Sequence, residues 1–401
     1  MKFAAEQPAA RRGVTRRALL GGGLTLTLAG CNSAGLEMPN DAGGPATTPG
    51  QAANTPPVGE TMGTGPVRVG MILPLTQNGA PSPIGASMRN AAQLAIGDSG
   101  STSITLMIQD DHSSPDAAAQ AAQSELGAGA QLILGPVFAN DVRTASAAAK
   151  AAGKPMIAFS TDVTVAAPGV YLLSFLIQGY VDRVLQYAVS NGKKSFGIMA
   201  PQNDYGNVAA QRFQEMAGNV NAQVVVTARY STGQIATAAQ QVSAVQGQID
   251  ALFIPEQADA MPAVASALGS ANVKIKFLGT GVWNDARVLK LPQMQGAWFS
   301  APDNSGFDAF AERYKAKFNS EPARLATLAY DAVTLAAALA HNGGADPFNQ
   351  AALTNISGFN GADGVFRFKA DGTNERGLAV MEIADDGAKV ISPAPRSFAA
   401  G

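Results

Sequence analysis

From residue 67 onward, short runs of branched apolar residues recur along the chain, separated by alanine-rich amphipathic stretches. The runs cover 67–75, 104–109, 131–135, 155–160, 195–200, 223–228, 251–255 and 274–279. Most are apolar throughout rather than alternating, which is the pattern of strands in a parallel sheet covered on both faces. The stretches 115–126, 141–152, 181–190, 206–217 and 234–246 between them read as helices. Strand and helix alternate, so the pattern predicts an α/β fold with mostly parallel sheets flanked by helices. A further extended segment lies at 298–302, helices follow at 306–318 and 324–340, and strands at 365–369 and 378–383 close the chain around Ala370-Asp371-Gly372. Four or five strand–helix units on each side of a break near Gln178 predict two similar lobes. In open sheets of this kind ligands sit off the carboxyl ends of the strands, where the strand order reverses. Two such edges facing each other form a cleft.

The first 31 residues follow another pattern. Arg11, Arg12, Arg16 and Arg17 precede an uncharged run over 18–30 that ends in Leu28-Ala29-Gly30-Cys31, and Cys31 is the only cysteine. A basic stretch followed by an apolar one is the shape of a signal peptide. The run is shorter than the roughly 20 residues that span a hydrocarbon core of about 30 Å. Leu28-Ala29-Gly30-Cys31 resembles the bacterial lipobox, which implies cleavage after Gly30 and lipidation of Cys31. Thr15-Arg16-Arg17-Ala18-Leu19-Leu20 is similar to a twin-arginine export signal, with Leu19 where phenylalanine is commoner. The alternative is an ordinary cleavage site followed by a buried cysteine. On the lipidated reading, residues 1–30 are the signal peptide, and the protein is held to a membrane outside the cytoplasm, on the periplasmic side, by several acyl chains. Residues 31–65, rich in Pro, Gly, Thr, Ala and Asn, then form the lipidated cysteine and a flexible linker with no core of its own.

Removing residues 1–31 takes away five basic residues and one acidic residue, leaving 23 basic and 29 acidic ones. No basic tract points to nucleic acid. With its single cysteine carrying lipid, the exported chain has no disulfide and is held by packing. Asp110 and Asp111 form a carboxylate pair, but at a strand end before Pro115 their place is that of helix-capping residues. The two histidines, His112 and His341, are far apart in sequence, which argues against an imidazole metal site. No nucleophile elbow, phosphate loop or dinucleotide glycine pattern stands in a strand-to-helix context. The sequence therefore gives no catalytic residue, cofactor or metal, and reads as a non-enzyme.

Several segments at strand ends carry a resemblance: 69–76 through Ile84-Gly85, Gln109-Asp110-Asp111 with Pro115, 153–157, Asp204-Tyr205-Gly206, Phe277-Leu278-Gly279 and 364–368. In this order and spacing the chain resembles the leucine/isoleucine/valine-binding family of type I periplasmic substrate-binding proteins of ABC importers. The resemblance implies two lobes joined by three crossovers, near 175–179, 300–304 and 366–370. It assigns 66–176 with 302–366 to lobe 1 and 177–301 with 367–395 to lobe 2. Phe138, Asn140, Ser160, Thr161, Tyr205, Gln257 and Trp283 are expected to line the ligand cleft, since each follows a predicted strand's carboxyl end or, as with Ser160 and Tyr205, matches a family contact; Glu256 beside Gln257 is a further candidate, the alternatives being core packing for Trp283 and a helix start for Glu256 and Gln257. The family's carboxylate-binding serine falls at Ala139, its threonine at Asp162 and its ammonium-pairing acid at Gly281. The implied ligand is accordingly a small solute other than a free α-amino acid, delivered to an ABC permease. A second reading stands beside it: lipoproteins that activate penicillin-binding proteins share this fold and take a cell-wall synthase as partner.

Overall fold

The computed structural model describes residues 59–398 apart from Ser101 and Asp386. The expectations for the signal peptide, Cys31 and most of the linker lie outside those residues. Among the described residues, no helix is long and apolar enough to cross a membrane.

The first sheet is built from β1 (Glu60–Met62), β2 (Val67–Leu73), β3 (Ile104–Asp110), β4 (Leu132–Leu134), β5 (Met156–Ala158) and β6 (Val170–Leu172). Its spatial order is β1-β3-β2-β4-β5-β6, parallel except for β1. One face is covered by α1 (Pro83–Asp98), α8 (Asn304–Phe318) and α9 (Ala326–Asn342), whose Met88, Phe310 and Leu328 are buried against it. The other is covered by α2 (Pro115–Gly127) and α3 (Ala139–Ala151), through small residues such as Ala118, Ala122 and Ala145. The linker ends sooner than its composition suggests. Met62 inserts into the first core and β1 pairs with β3, so residues 60–62 belong to the first lobe rather than to a linker running to residue 65.

The second sheet contains β7 (Ser195–Pro201), β8 (Gln223–Tyr230), β9 (Ala251–Phe253), β10 (Lys276–Gly279) and β11 (Trp298–Ala301). Its order is β8-β7-β9-β10-β11, completed by the antiparallel β15 (Ala379–Ala384) and β16 (Gly387–Ser392). Helices α4 (Ile177–Ser190) and α5 (Asp204–Asn219) pack on one face, α6 (Ile235–Val245) and α7 (Met261–Ser270) on the other. Between β11 and β15 in sequence, β12 (Phe359–Gly361), β13 (Gly364–Phe368) and β14 (Asn374–Arg376) form a small antiparallel sheet.

This is the two-lobed type I periplasmic-binding-protein fold. The chain passes from the first sheet to the second between β6 and α4, and back between β11 and α8. The third passage differs. Phe366 and Phe368 belong to the first core, with Phe368 against Tyr171 at 5.3 Å between ring centroids, and the chain enters the second sheet only at Ala379. The crossover therefore lies at Gly377-Leu378, about ten residues later than the turn-based expectation, because β13 and β14 pair with each other before the chain leaves the first lobe.

Candidate functional site

Strand order reverses between β2 and β4 in the first sheet and between β7 and β9 in the second, so the loops leaving these strands are where the fold presents a ligand site. The loop after β4 begins at Gly135, whose φ of +86° and backbone approach to Ile72, where a β-carbon would lie 2.1 Å from a carbonyl oxygen, exclude other residues. It carries Phe138, half-exposed at the start of α3, and the exposed Asn140. The Asn140 amide oxygen accepts from Arg143 at 2.8 Å, and Arg143 also donates to Thr164 at 2.8 Å and pairs with Asp162 at 3.3 Å.

After β5, Ser160 is buried, with its hydroxyl accepting from the Asp162 N–H at 3.1 Å, while Thr161 is exposed. Asp162 caps the short turn Val163–Val165, accepting from the Thr164 N–H at 2.9 Å. Partial burial works to raise its carboxyl, but the Thr164 hydrogen bonds and the Arg143 charge hold it below its ordinary value. Its charge is thus engaged locally, and it repels a ligand carboxylate less than the sequence suggests.

In the second lobe the Asn203 side chain caps α5 through the Gly206 N–H at 2.8 Å, and Gly206 lies where a β-carbon would meet the Pro201 carbonyl oxygen at 2.3 Å. This close seating fixes Tyr205 at the end of β7, where its hydroxyl lies 2.5 Å from that of Thr280. Burial, then the nearby Glu256 charge, push the Tyr205 phenol up to about 12 despite the Thr280 hydrogen bond. Glu256 is buried at the end of β9 and accepts from the Tyr230 hydroxyl and the Gln257 N–H, each at 2.7 Å. Gln257 is partly exposed beside it.

Phe138, Asn140, Ser160 and Thr161 thus stand at strand ends of the first lobe, and Tyr205 and Gln257 at those of the second. Trp283 does not join them. It is fully buried in the second core, its indole packed on Gly279, where a β-carbon would lie 2.2 Å from the ring. The expectation of a cleft wall fails because the turn after β10 folds Trp283 back beneath the sheet edge.

Two residues without any motif in the sequence line a cavity apart from these loop residues. Tyr180, in the first turn of α4, lies beside Gly281, and Arg324 precedes α9. Together with Phe175, Asn284 and Phe307 they line a cavity of about 380 Å³ between the lobes next to the crossovers. Arg324 sits 4.2 Å over the Phe307 ring and is ion-paired with the fully buried Asp363. Arg376, on β14, is buried 4.6 Å over Phe175, with Asp331 at 3.9 Å. Burial pushes the Asp331 carboxyl up to about 7, although Arg376 opposes it. No group of three or more His, Cys, Asp or Glu among the described residues is arranged to hold a metal ion.

A two-lobed fold with a cavity lined by residues of both lobes is an architecture suited to holding a ligand. The periplasmic binding protein family profile matches residues 66–388, and the chain belongs to that family, one of binding proteins rather than enzymes. Among curated proteins, none matches the sequence. Similar solved structures include a branched-chain amino acid ABC transporter protein from Rhodospirillum rubrum, with 16% identity and a TM-score of 0.72 over 81% of this chain and 99% of that one. The branched-chain amino acid transporter substrate-binding protein of Streptococcus pneumoniae, in complex with isoleucine, is 19% identical with a TM-score of 0.55 over 82% and 99%. An ABC transporter solute-binding protein of Rhodopseudomonas palustris BisB5, in complex with 3,4-dihydroxybenzoic acid, is 20% identical with a TM-score of 0.59 over 83% and 97%. These likenesses do not favour the reading as an activator of cell-wall synthases.

Proposed function

We propose that this chain is the receptor of an ABC import system of the branched-chain amino acid and amide type, exported, cleaved before Cys31, and tethered to the membrane by lipid on that cysteine. It closes its lobes on a small solute and delivers it to a permease, a hinge motion that two-lobed folds support. The observation that supports the reading is the cavity at the crossovers, lined by Phe307 and Arg324 of one lobe and by Tyr180, Gly281 and Asn284 of the other.

The solute is not free leucine, isoleucine or valine. Gly281 supplies no carboxylate for an ammonium and Ala139 no hydroxyl for a carboxylate. Relatives of the same fold carry isoleucine in one case and 3,4-dihydroxybenzoic acid in another, so the fold leaves the choice to the site residues. A thermal-shift screen of the detergent-solubilised protein against amino acids, carboxylic acids, amides and short peptides tests the reading. A ligand at 100 times its Kd raises stability by about 2.7 kcal/mol. A screen in which no small solute raises the melting temperature refutes the receptor role. Micromolar or tighter binding of any of the three branched amino acids refutes the exclusion.

A further inference from the structure

We propose that Arg324 is the anchor for the carboxylate of the solute, and that the solute is a carboxylic acid without an α-ammonium group. The proposal rests on the solute-binding reading above and names the ligand class of the same cleft.

Arg324 is held from three sides. Its guanidinium is paired with Asp363, which also accepts from the Thr327 hydroxyl, and lies over Phe307 at 4.2 Å and near Phe175 at 5.8 Å from the ring centroids. Among the described residues its side chain makes no other hydrogen bond, and about a third of it is exposed, on the wall of the inter-lobe cavity. A guanidinium stacked and fixed in this way keeps N–H groups free in a planar fork, the geometry that receives a carboxylate with both oxygens. Little side-chain freedom is then lost on binding.

The surroundings favour an anion. Arg376 lies behind Phe175 with both terminal nitrogens unpaired by any hydrogen bond, and its one nearby carboxyl, Asp331, is held partly protonated near neutral pH by burial. Arg324, Arg376, Asp363 and Asp331 therefore leave net positive charge behind the cavity wall. Across the cavity, burial keeps the Tyr180 phenol in its protonated, hydrogen-bond-donating form. An ammonium finds no comparable partner. Among the described residues that line the cavity, Asp308 is the only carboxylate, and it is exposed, so solvent screens the attraction. A carboxylate between Arg324 of the first lobe and Tyr180 and Asn284 of the second bridges the lobes, so its binding favours closure.

The test compares 4-methylpentanoate, leucine, 4-methylpentanamide and benzoate by calorimetry on the full chain in detergent. The first three share one carbon skeleton: leucine adds an α-ammonium group to the acid, and the amide replaces its carboxylate with a neutral group. The acids are expected to bind, with the amide and leucine each at least about 10-fold weaker than 4-methylpentanoate. The double variant Arg324→Met/Asp363→Asn removes both members of the pair and is expected to lose about 10- to 100-fold for the acids and clearly less for the neutral amide, so that the preference for acid over amide shrinks. Arg324→Lys, which keeps the charge and loses the fork, falls between. A purely structural Arg324 would lower the melting temperature and leave the preference for acid over amide intact, and that result overturns the proposal. So does an amide that binds the unmodified protein as tightly as the acid, or the failure of both acids to bind at millimolar concentration. If neither acid binds while the wider screen finds another solute, the receptor reading stands and the carboxylate assignment falls. If nothing binds, both fall.

Discussion

Tyr180 occupies the space that a side chain at position 281 requires: a β-carbon built on Gly281 would lie 2.6 Å from its ring and 2.9 Å from its hydroxyl oxygen. The relationship joins α4, the first helix after the first crossover, to the turn after β10. The missing acid at 281 is therefore a replacement rather than a gap, with a phenol where the resemblance places a carboxylate. A buried phenol donates and accepts hydrogen bonds but does not neutralise an ammonium, whose burial without a partner costs on the order of several kcal/mol.

A similar constraint holds one turn away. Gly279→Ala puts a methyl group 2.2 Å from the buried Trp283 ring, which has no space to retreat within the second core. Overpacking of this kind costs about 1–3 kcal/mol. Urea denaturation of the variant is expected to give a lower midpoint at unchanged slope, and an unchanged midpoint would show that the turn rearranges freely.

Asp111 makes stability depend on pH. It is fully buried, one carboxylate oxygen accepts from the Ser113 N–H at 2.8 Å, and the other has no partner. Burial foremost, then the charges of Asp141 and Asp110, push its carboxyl up to about 7, against the Ser113 hydrogen bond and the weaker pull of His112. The unfolded chain releases this proton near pH 3.9. The native state thus holds the extra proton between about pH 4 and 7, so the contribution of this group is fully present below about pH 4 and declines as pH rises through 7. Asp111→Asn cannot titrate. Relative to it, the unmodified protein is expected to lose a few kcal/mol of unfolding free energy across that range, and parallel pH profiles for the two would exclude this assignment.

Much of the fold is legible in the chain because the centres of runs such as 67–75 and 195–200, residues 69–73 and 196–200, are buried and carry no polar side chain. The lobe boundaries are less legible. Leucine, phenylalanine and glycine read alike on either side of Gly377, and only the pairing of β13 with β14 decides where the chain crosses. The site divides in the same way. Residues at strand ends, such as Tyr205 and Asn140, follow from the period of the fold. Tyr180 and Arg324 belong to helix starts far from those loops in sequence, and only the folded topology brings them to one cavity. Trp283 misleads for a related reason: an aromatic residue just after a strand suits a cleft wall and a core equally, and the small Gly279 beneath it selects the core.

The proposed lipid anchor rests on one atom, the thiol of Cys31. Cys31→Ser removes the acylated thiol and lies 29 residues before β1, so it is expected to release the protein into the aqueous phase of a detergent partition without changing its melting temperature. Variant protein that still partitions with detergent would refute lipid anchoring at this position.

The exclusion of leucine is expected to reverse when the Tyr180–Gly281 relationship is undone. Gly281→Glu alone forces a side chain into the Tyr180 ring and is expected to lower the melting temperature without improving leucine binding. Tyr180→Ala alone opens space but supplies no charge. Together, Tyr180→Ala/Gly281→Glu gives a carboxylate at the end of β10 with room to reach the cleft. A hydrogen bond to a charged group contributes about 1.5–3 kcal/mol, so leucine affinity is expected to rise at least about 10-fold over Tyr180→Ala, measured by calorimetry. The same change places a carboxylate across the cavity from Arg324, where it competes with an incoming acid, so affinity for 4-methylpentanoate is expected to fall as that for leucine rises. A double variant that binds leucine no better than Tyr180→Ala would mean that position 281 does not face the ligand, and that the ammonium is excluded by some other feature of the cleft.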